Sequence, residues 1–572
     1  MTAMRFRFKI IIFVFLLVIP LVARADTWGQ KMDFFVDPFY DEFTRNKVTA
    51  TLRKISSKVY FYFEDDFWNS LSFDSQDKII KATEELSSEF ENRIYPTLIS
   101  NFGSEWLPGI DKDERIAILI HPMGKGIGGY FSSSDEYSKF EFPRSNEREM
   151  IYLNSRYISS SLAKTYLAHE FIHLITFNQK TKIYGVSEET WLNEARTEYA
   201  STLLGYDENF EGSNLEIRLK EFLKTPSDSL TEWKNRQSDY GVINLFTQYL
   251  VDHYGVKILD DSLKLPEVGI KSINYALTKN GFSENFSKIF VDWTITVLIN
   301  DCAISEKYCY SNQHLKGYVI TPFINYLPVV GESSLSITNF TKDWMGSWYK
   351  IVGGKGVLKI DFTGEKEINF QVLYVVTDKA GKNKINFLTL DKDEKGTIYV
   401  PDFNTENNSV TIIPLTQVKI SDFSSSESAH QFSFVVSTVE TTPEAKEEQI
   451  KKLLAQIDFL QKEIARVRAQ IDAVLGKGET QISCSLLERD LSYGTTSSQV
   501  KCLQEFLKSQ GAEIYPEGLV TGFFGDKTQA AVKRFQEKYS QEILFPIGLK
   551  EGTGYVGTAT RAKINQILGY QS

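Results

Sequence analysis

The stretch at 166–180, YLAHEFIHLITFNQK, is the tightest constraint on how this chain can fold. Leu167, Phe171, Leu174, Ile175 and Phe177 recur at helical spacing, so the segment is expected to be a buried helix. The same helix carries His169, Glu170 and His173. Burying neutral polar groups without partners costs roughly 1–3 kcal/mol each, and a charge costs more. The fold must therefore supply something for these three groups to bind.

His169 and His173 are four residues apart, so both imidazoles leave the same helical face. Two imidazoles at that spacing can chelate one Zn²⁺, and Glu170 sits where it reaches a water on that ion. H-E-x-x-H is the zincin motif. The metzincin continuation fails, because Thr176 and Gln179 stand at its glycine and histidine positions. "EETWLNEARTEYA" follows instead. Glu194 on a second helix is expected to complete a His₂Glu site, and Glu198, one turn on, to accept a hydrogen bond from a ligand histidine.

This layout resembles the gluzincin metallopeptidases. With "NFGSEWLPGIDKDERIAILI", "GGYFSSSDEY" and "PRSNEREMIYLN", residues 48–293 are similar to the hyicolysin-like family of secreted bacterial zinc peptidases. The resemblance implies an α+β zincin-type catalytic domain over 48–326. It implies His169, His173 and Glu194 as zinc ligands, Glu170 as general base, and a protein or peptide substrate. Ala195 stands where relatives often have glycine. A donor for the oxyanion is needed besides the metal, and Tyr240 and His253 are the candidates. The segment 124–131, GKGIGGYF, lacks phosphate-loop spacing and is expected to be a flexible loop beside the cleft.

The rest of the chain reads as further modules. Arg5, Arg7 and Lys9, an apolar run at 10–22 and Ala23-Arg24-Ala25 form an export signal over 1–25. An N-terminal segment, 26–47, follows it. Export agrees with four cysteines that fall as two local pairs, Cys302 with Cys309 and Cys484 with Cys502, expected to be disulfides. A net charge of −10 argues against a nucleic-acid partner.

From 338 to 440, six short alternating segments suggest a β-sandwich that serves as spacer or accessory module. Over 444–476, Ile450, Leu453, Ile457, Leu460, Ile464, Val467, Ile471 and Val474 form an unbroken heptad seam. It suits either a two-stranded homodimer or a single spacer helix. Within 484–570, GFFGDKTQAAV (522–532) and GYVGTATRAKI (554–564) repeat one turn-helix unit. Residues 491–568 closely resemble the bacterial peptidoglycan-binding domain, which implies a small three-helix fold and peptidoglycan as a partner.

The combined expectation is a secreted, extracellular or periplasmic, cell-wall-associated zinc endopeptidase. A peptidase of wall cross-links and a non-catalytic zinc-containing surface protein are the alternatives.

Overall fold

The computed structural model describes residues 25–329, 333–439, 451, 453–467, 484 and 486–570. The export signal, apart from Ala25, lies outside them, as do both ends of the heptad segment. The chain divides into two compact units, 1–439 and 440–572.

The first unit opens with a six-stranded sheet. Its strands are β1 (Lys31–Phe35), β2 (Lys47–Ile55), β3 (Val59–Glu64), β4 (Ile116–His121), β5 (Gly129–Phe131) and β6 (Met150–Asn154), in the order β1-β2-β3-β4-β6-β5. β3, β4 and β6 run parallel; β1, β2 and β5 pair antiparallel. β3 is buried along its whole length and apolar from Val59 to Phe63 because both its faces are covered. Phe61 and Phe63 face the helices, and Tyr60 and Tyr62 face a second apolar layer with Leu119 and Tyr152.

The N-terminal segment, 26–47, contributes β1 to this sheet. β1 pairs with β2, and the buried Asp26 accepts hydrogen bonds from Tyr62, Gln30 and Arg148. GKGIGGYF differs from the flexible loop expected of it, because Gly129–Phe131 is the edge strand β5. A strand of three residues that begins with Gly129 and follows Gly128 is too short for an alternation signal to register.

Helices α1 (Asp65–Ser70), α2 (Phe73–Glu89) and α3 (Tyr95–Phe102) lie between β3 and β4 in the chain. α2 is capped by Ser72, whose hydroxyl accepts from the Ser75 amide. After β6 come α4 (Ala163–Thr176), α5 (Thr190–Leu203), α6 (Asn214–Lys224), α7 (Gln237–Tyr254), α8 (Lys257–Leu263), α9 (Gly269–Lys279) and α10 (Phe286–Ile299). Their apolar faces and the Phe61 face of the sheet share one core.

The β-rich segment is larger than expected and is not a detached spacer. β7 (Phe323–Leu327), β8 (Ser334–Lys342), β9 (Tyr349–Gly353), β10 (Gly356–Gly364), β11 (Gln371–Asp378), β12 (Asn383–Leu388), β13 (Lys395–Phe403), β14 (Asn407–Leu415) and β15 (Ala429–Val439) form one nine-stranded sheet. β14 bonds along its length to β9 and β11 and meets β13 at one pair only, Phe403 with Asn407, so the two groups of strands expected of a sandwich are linked at that turn and enclose a core between them. The sheet has its own core, including Leu358, Ile360, Ile412 and Phe434. The opposite faces of β11 and β14, through Leu373, Val375, Ile413 and Leu415, join the core of the helices instead. Trp344 and Trp348 seal this junction. The Trp344 ring packs 5.0 Å from Phe286, and the Trp348 indole donates to the carbonyl of Thr294 at 2.9 Å. β7 begins at Phe323, inside the range expected for the catalytic domain, so the boundary near 326–338 cuts through the sheet.

The second unit contains α11 (453–467), α12 (Ser498–Ser509), α13 (Asp526–Lys538), the short α14 (Ser540–Ile543) and α15 (Thr558–Ile567). The repeated turns are read by two buried glutamines, Gln504 and Gln536. Gln504 accepts from the amides of Thr521 and Gly522 and donates to Phe523 O and Thr528 Oγ1. Gln536 accepts from Gly554 and donates to Tyr555 O and Thr560 Oγ1. Gly522 and Gly554 have φ of 81° and 72°, which accounts for glycine at both. The threonine of each repeat is therefore a buried hydrogen-bond partner of the preceding helix.

Both disulfides are present, Cys302–Cys309 and Cys484–Cys502, with Cα separations of 5.0 and 5.3 Å. Among the described residues, no helix is long and apolar enough to cross a membrane.

Candidate metal centre

α4 buries Leu167, Phe171, Leu174 and Ile175, and this orients His169 and His173 towards α5. The two rings lie 5.1 Å apart, and atoms of His169, Glu170 and His173 able to bind metal lie within 4.8 Å of one another. From α5, Glu194 directs one oxygen at each imidazole. Its Oε2 is 3.2 Å from His169 Nε2 and its Oε1 is 3.6 Å from His173 Nε2. The side chains of these three residues retain 11–15 % exposure, so the convergence point is deep but open to solvent. Two imidazole nitrogens and one carboxylate facing a common point form a donor set that suits a metal ion with a position left open.

Glu198 stands behind His169, with Oε1 3.6 Å from Nδ1. It is held by residues that the sequence did not single out. Arg218 of α6 donates to both its oxygens at 2.8 Å, Asn214 donates at 2.9 Å and Asn244 of α7 at 3.3 Å. In the sequence, Arg218 and Glu221 form an i,i+3 pair like those on any helix surface, so spacing carried no sign of this role. Thr197 Oγ1 contacts Glu194 Oε2 at 3.3 Å.

The electrostatics follow from burial and charge. Burial pushes the Glu170 carboxyl up to about 8. Burial would lower His169, but its hydrogen bond to Glu194 and the nearby carboxylates outweigh that and raise the ring to about 9. Burial holds His173 below its ordinary value. Burial also works to raise Glu198, yet the Arg218 guanidinium keeps it below the usual carboxylate range. A dication among these groups would favour neutral histidines and ionised glutamates.

The edge strand β5 passes directly beside Glu170. A Cβ on Gly129 would come within 3.2 Å of the Glu170 side chain and 2.6 Å of Tyr152 O, and one on Gly128 would lie 2.4 Å from the Tyr166 ring. These glycines are there for close approach. The Phe131 ring stacks near His173, with centroids 6.4 Å apart.

The two oxyanion candidates separate. Tyr240 lies beside the site, with the Arg218 guanidinium 4.6 Å above its ring and its hydroxyl donating to Asn235 Oδ1 at 3.1 Å. Burial and the Glu194 and Glu198 charges raise its pKa well above that of free tyrosine. His253 is at the other end of α7, with Nε2 3.0 Å from Cys309 O, and plays no part here.

Comparison with known proteins assigns one region. No curated protein matches the chain. Among solved structures, the pre-peptidase C-terminal domain of a Bacillus anthracis collagenase matches 20 % of this chain and 96 % of its own, at 8 % identity and a TM-score of 0.15. The g-type lysozyme inhibitor PliG of Aeromonas hydrophila matches 20 % of this chain and 98 % of its own, at 14 % identity and a TM-score of 0.13. Scores at this level carry no structural argument. Residues 496–564 match the family profile of the peptidoglycan binding domain, the region built on the Gln504 and Gln536 turns. The chain thus carries a peptidoglycan-binding domain at its C-terminal end, which points to association with the cell wall.

Proposed function

We propose that the protein is a secreted, wall-associated zinc endopeptidase of gluzincin type. The reading rests above all on one observation, that Glu194 faces both Nε2 atoms of an H-E-x-x-H helix at 3.2 and 3.6 Å. His169, His173 and Glu194 would hold the ion. Bound Zn²⁺ supplies Lewis-acid polarisation of the scissile carbonyl and acidifies water at the site. Glu170 takes the proton of the attacking water and delivers it to the leaving amine. Glu198, clamped by Arg218, holds the His169 ring in place through Nδ1. The free edge of β5 offers main-chain donors and acceptors to an extended substrate beside Glu170. Tyr240 is the candidate donor to the developing oxyanion.

A second reading, cleavage of peptide cross-links in the wall, is favoured by the peptidoglycan-binding domain alone. Both are tested by incubating the purified protein with a peptide library and with purified peptidoglycan, each with and without chelator, alongside metal analysis. Chelator-sensitive cleavage of library peptides with about one zinc per chain supports the endopeptidase. Release of wall fragments without library cleavage supports the second reading. Stoichiometric zinc with neither activity leaves a non-catalytic wall protein.

A further inference from the structure

The heptad helix has two faces with different fates. In α11, Ile457 and Ile464 occupy a positions, and Leu453, Leu460 and Val467 occupy d positions. All five lie between 46 and 59 % exposed. Asp458, Lys462 and Ala465, at b, f and b, are the less exposed side together with Glu463 at g, which pairs with Arg466 of the same helix, and Ala465 packs against the core of the peptidoglycan-binding domain. Asp458 pairs with Lys462 there and is close enough to Tyr515 of that domain to add to the rise in its pKa, which is chiefly due to burial. The helix therefore meets its own domain with the b/f face and leaves the a/d seam uncovered.

We infer that this seam is occupied by the same seam of a second copy of the chain, in a parallel two-stranded coiled coil that carries a peptidoglycan-binding domain on the outer flank of each helix. An exposed row of isoleucine and leucine repeating every 3.5 residues has a self-complementary solution, and isoleucine at a with leucine at d selects two parallel strands. The b/f attachment makes this arrangement possible, since b and f point away from the seam. Parallel pairing puts both wall-binding domains at the same end of the coil. The second domain then binds as a tethered ligand, and wall affinity exceeds that of one domain by about 10²-fold or more. Only this last consequence rests on the wall-attachment reading; the dimer does not depend on it or on peptidase activity.

The test is the mass of the full mature chain by light scattering at 1–50 µM, beside the double variant Ile457→Lys/Ile464→Lys and the milder Leu460→Asn. The expected result is twice the chain mass for the wild type, monomer for the double variant and a raised dimer Kd for Leu460→Asn. Hydrolysis of a soluble peptide is unchanged throughout, and half-saturation on peptidoglycan rises about 10²-fold in the double variant. A wild type that stays monomeric at 50 µM overturns the proposal, as does a trimer or tetramer. A double variant that remains dimeric equally overturns it, because the contact then lies elsewhere.

Discussion

Arg218 donates to both carboxylate oxygens of Glu198 at 2.8 Å, and through Glu198 it reaches the Nδ1 of His169. A residue on α6 thereby positions the carboxylate on α5 that faces a candidate ligand on α4 at 3.6 Å. Removing the guanidinium leaves a buried carboxylate short of its charge partner. Arg218→Ala is expected to lose about 3–5 kcal/mol of stability and to weaken metal binding roughly 10–100-fold. Chemical unfolding and a competitive zinc titration measure the two effects. An unchanged metal affinity would show that Glu198 does not act through His169.

Glu170 and Glu194 are carboxylates beside the same histidines, the first buried and the second partly exposed, and their replacements should behave differently. Glu170→Gln is expected to abolish peptide hydrolysis while keeping about one zinc per chain, since a base is lost and a ligand is not. Glu194→Ala should lose most of the metal. Zinc content by mass spectrometry of the purified variants separates them. Loss of zinc in Glu170→Gln would reassign that residue as a ligand.

The shared core around Trp344 and Trp348 sets where the chain can be cut. Truncation after Val439 should leave hydrolysis of soluble peptides intact and abolish sedimentation with peptidoglycan. Truncation before β7 strips the cover from Phe286 and Thr294, and should yield an insoluble or unfolded product. Trp348→Ala in the full chain should cost about 3–5 kcal/mol, read from the unfolding midpoint. A stable, active protein ending near residue 320 would refute the single-core description.

Glu136 and Glu149 supply a pH test away from the metal centre. Both are buried, and Glu136 Oε1 and Oε2 and Glu149 Oε2 accept no hydrogen bond. Burial raises both; Glu149 presses Glu136 further up, while Asp111 adds to the rise of Glu149 against the opposing effect of Glu136, and Glu149 reaches about 7. A raised carboxyl favours the folded state while protonated. Its contribution is complete below the ordinary glutamate range and fades as pH climbs through about 7. Glu149→Gln keeps the acceptor that Ile110 N uses and removes the titration. The variant should match the wild type near pH 5 and melt higher at pH 8. Parallel melting curves across that range would rule out the shift.

Local pattern was sufficient for elements whose signal is short-range. The strands β3, β4 and β6, the histidine helix α4, the Glu194–Glu198 helix α5 and the repeated glycine turns are all legible from periodicity and turn chemistry, because each buries a face defined by its own residues. The spacing of His169, His173 and Glu194 was enough to nominate them together. Tertiary structure alone decided the rest. Asn214, Arg218 and Asn244 converge on Glu198 only once α6 and α7 pack beside α5, and no sequence interval encodes that approach. β5 is too short and too rich in glycine to announce itself, and its importance lies in what passes close to it. The nine-stranded sheet reads as a separate module because its strands alternate cleanly. Its outer faces on β11 and β14 are apolar as well, and that surplus hydrophobic surface is covered only by the helices of the same unit, which is why the two halves share one core.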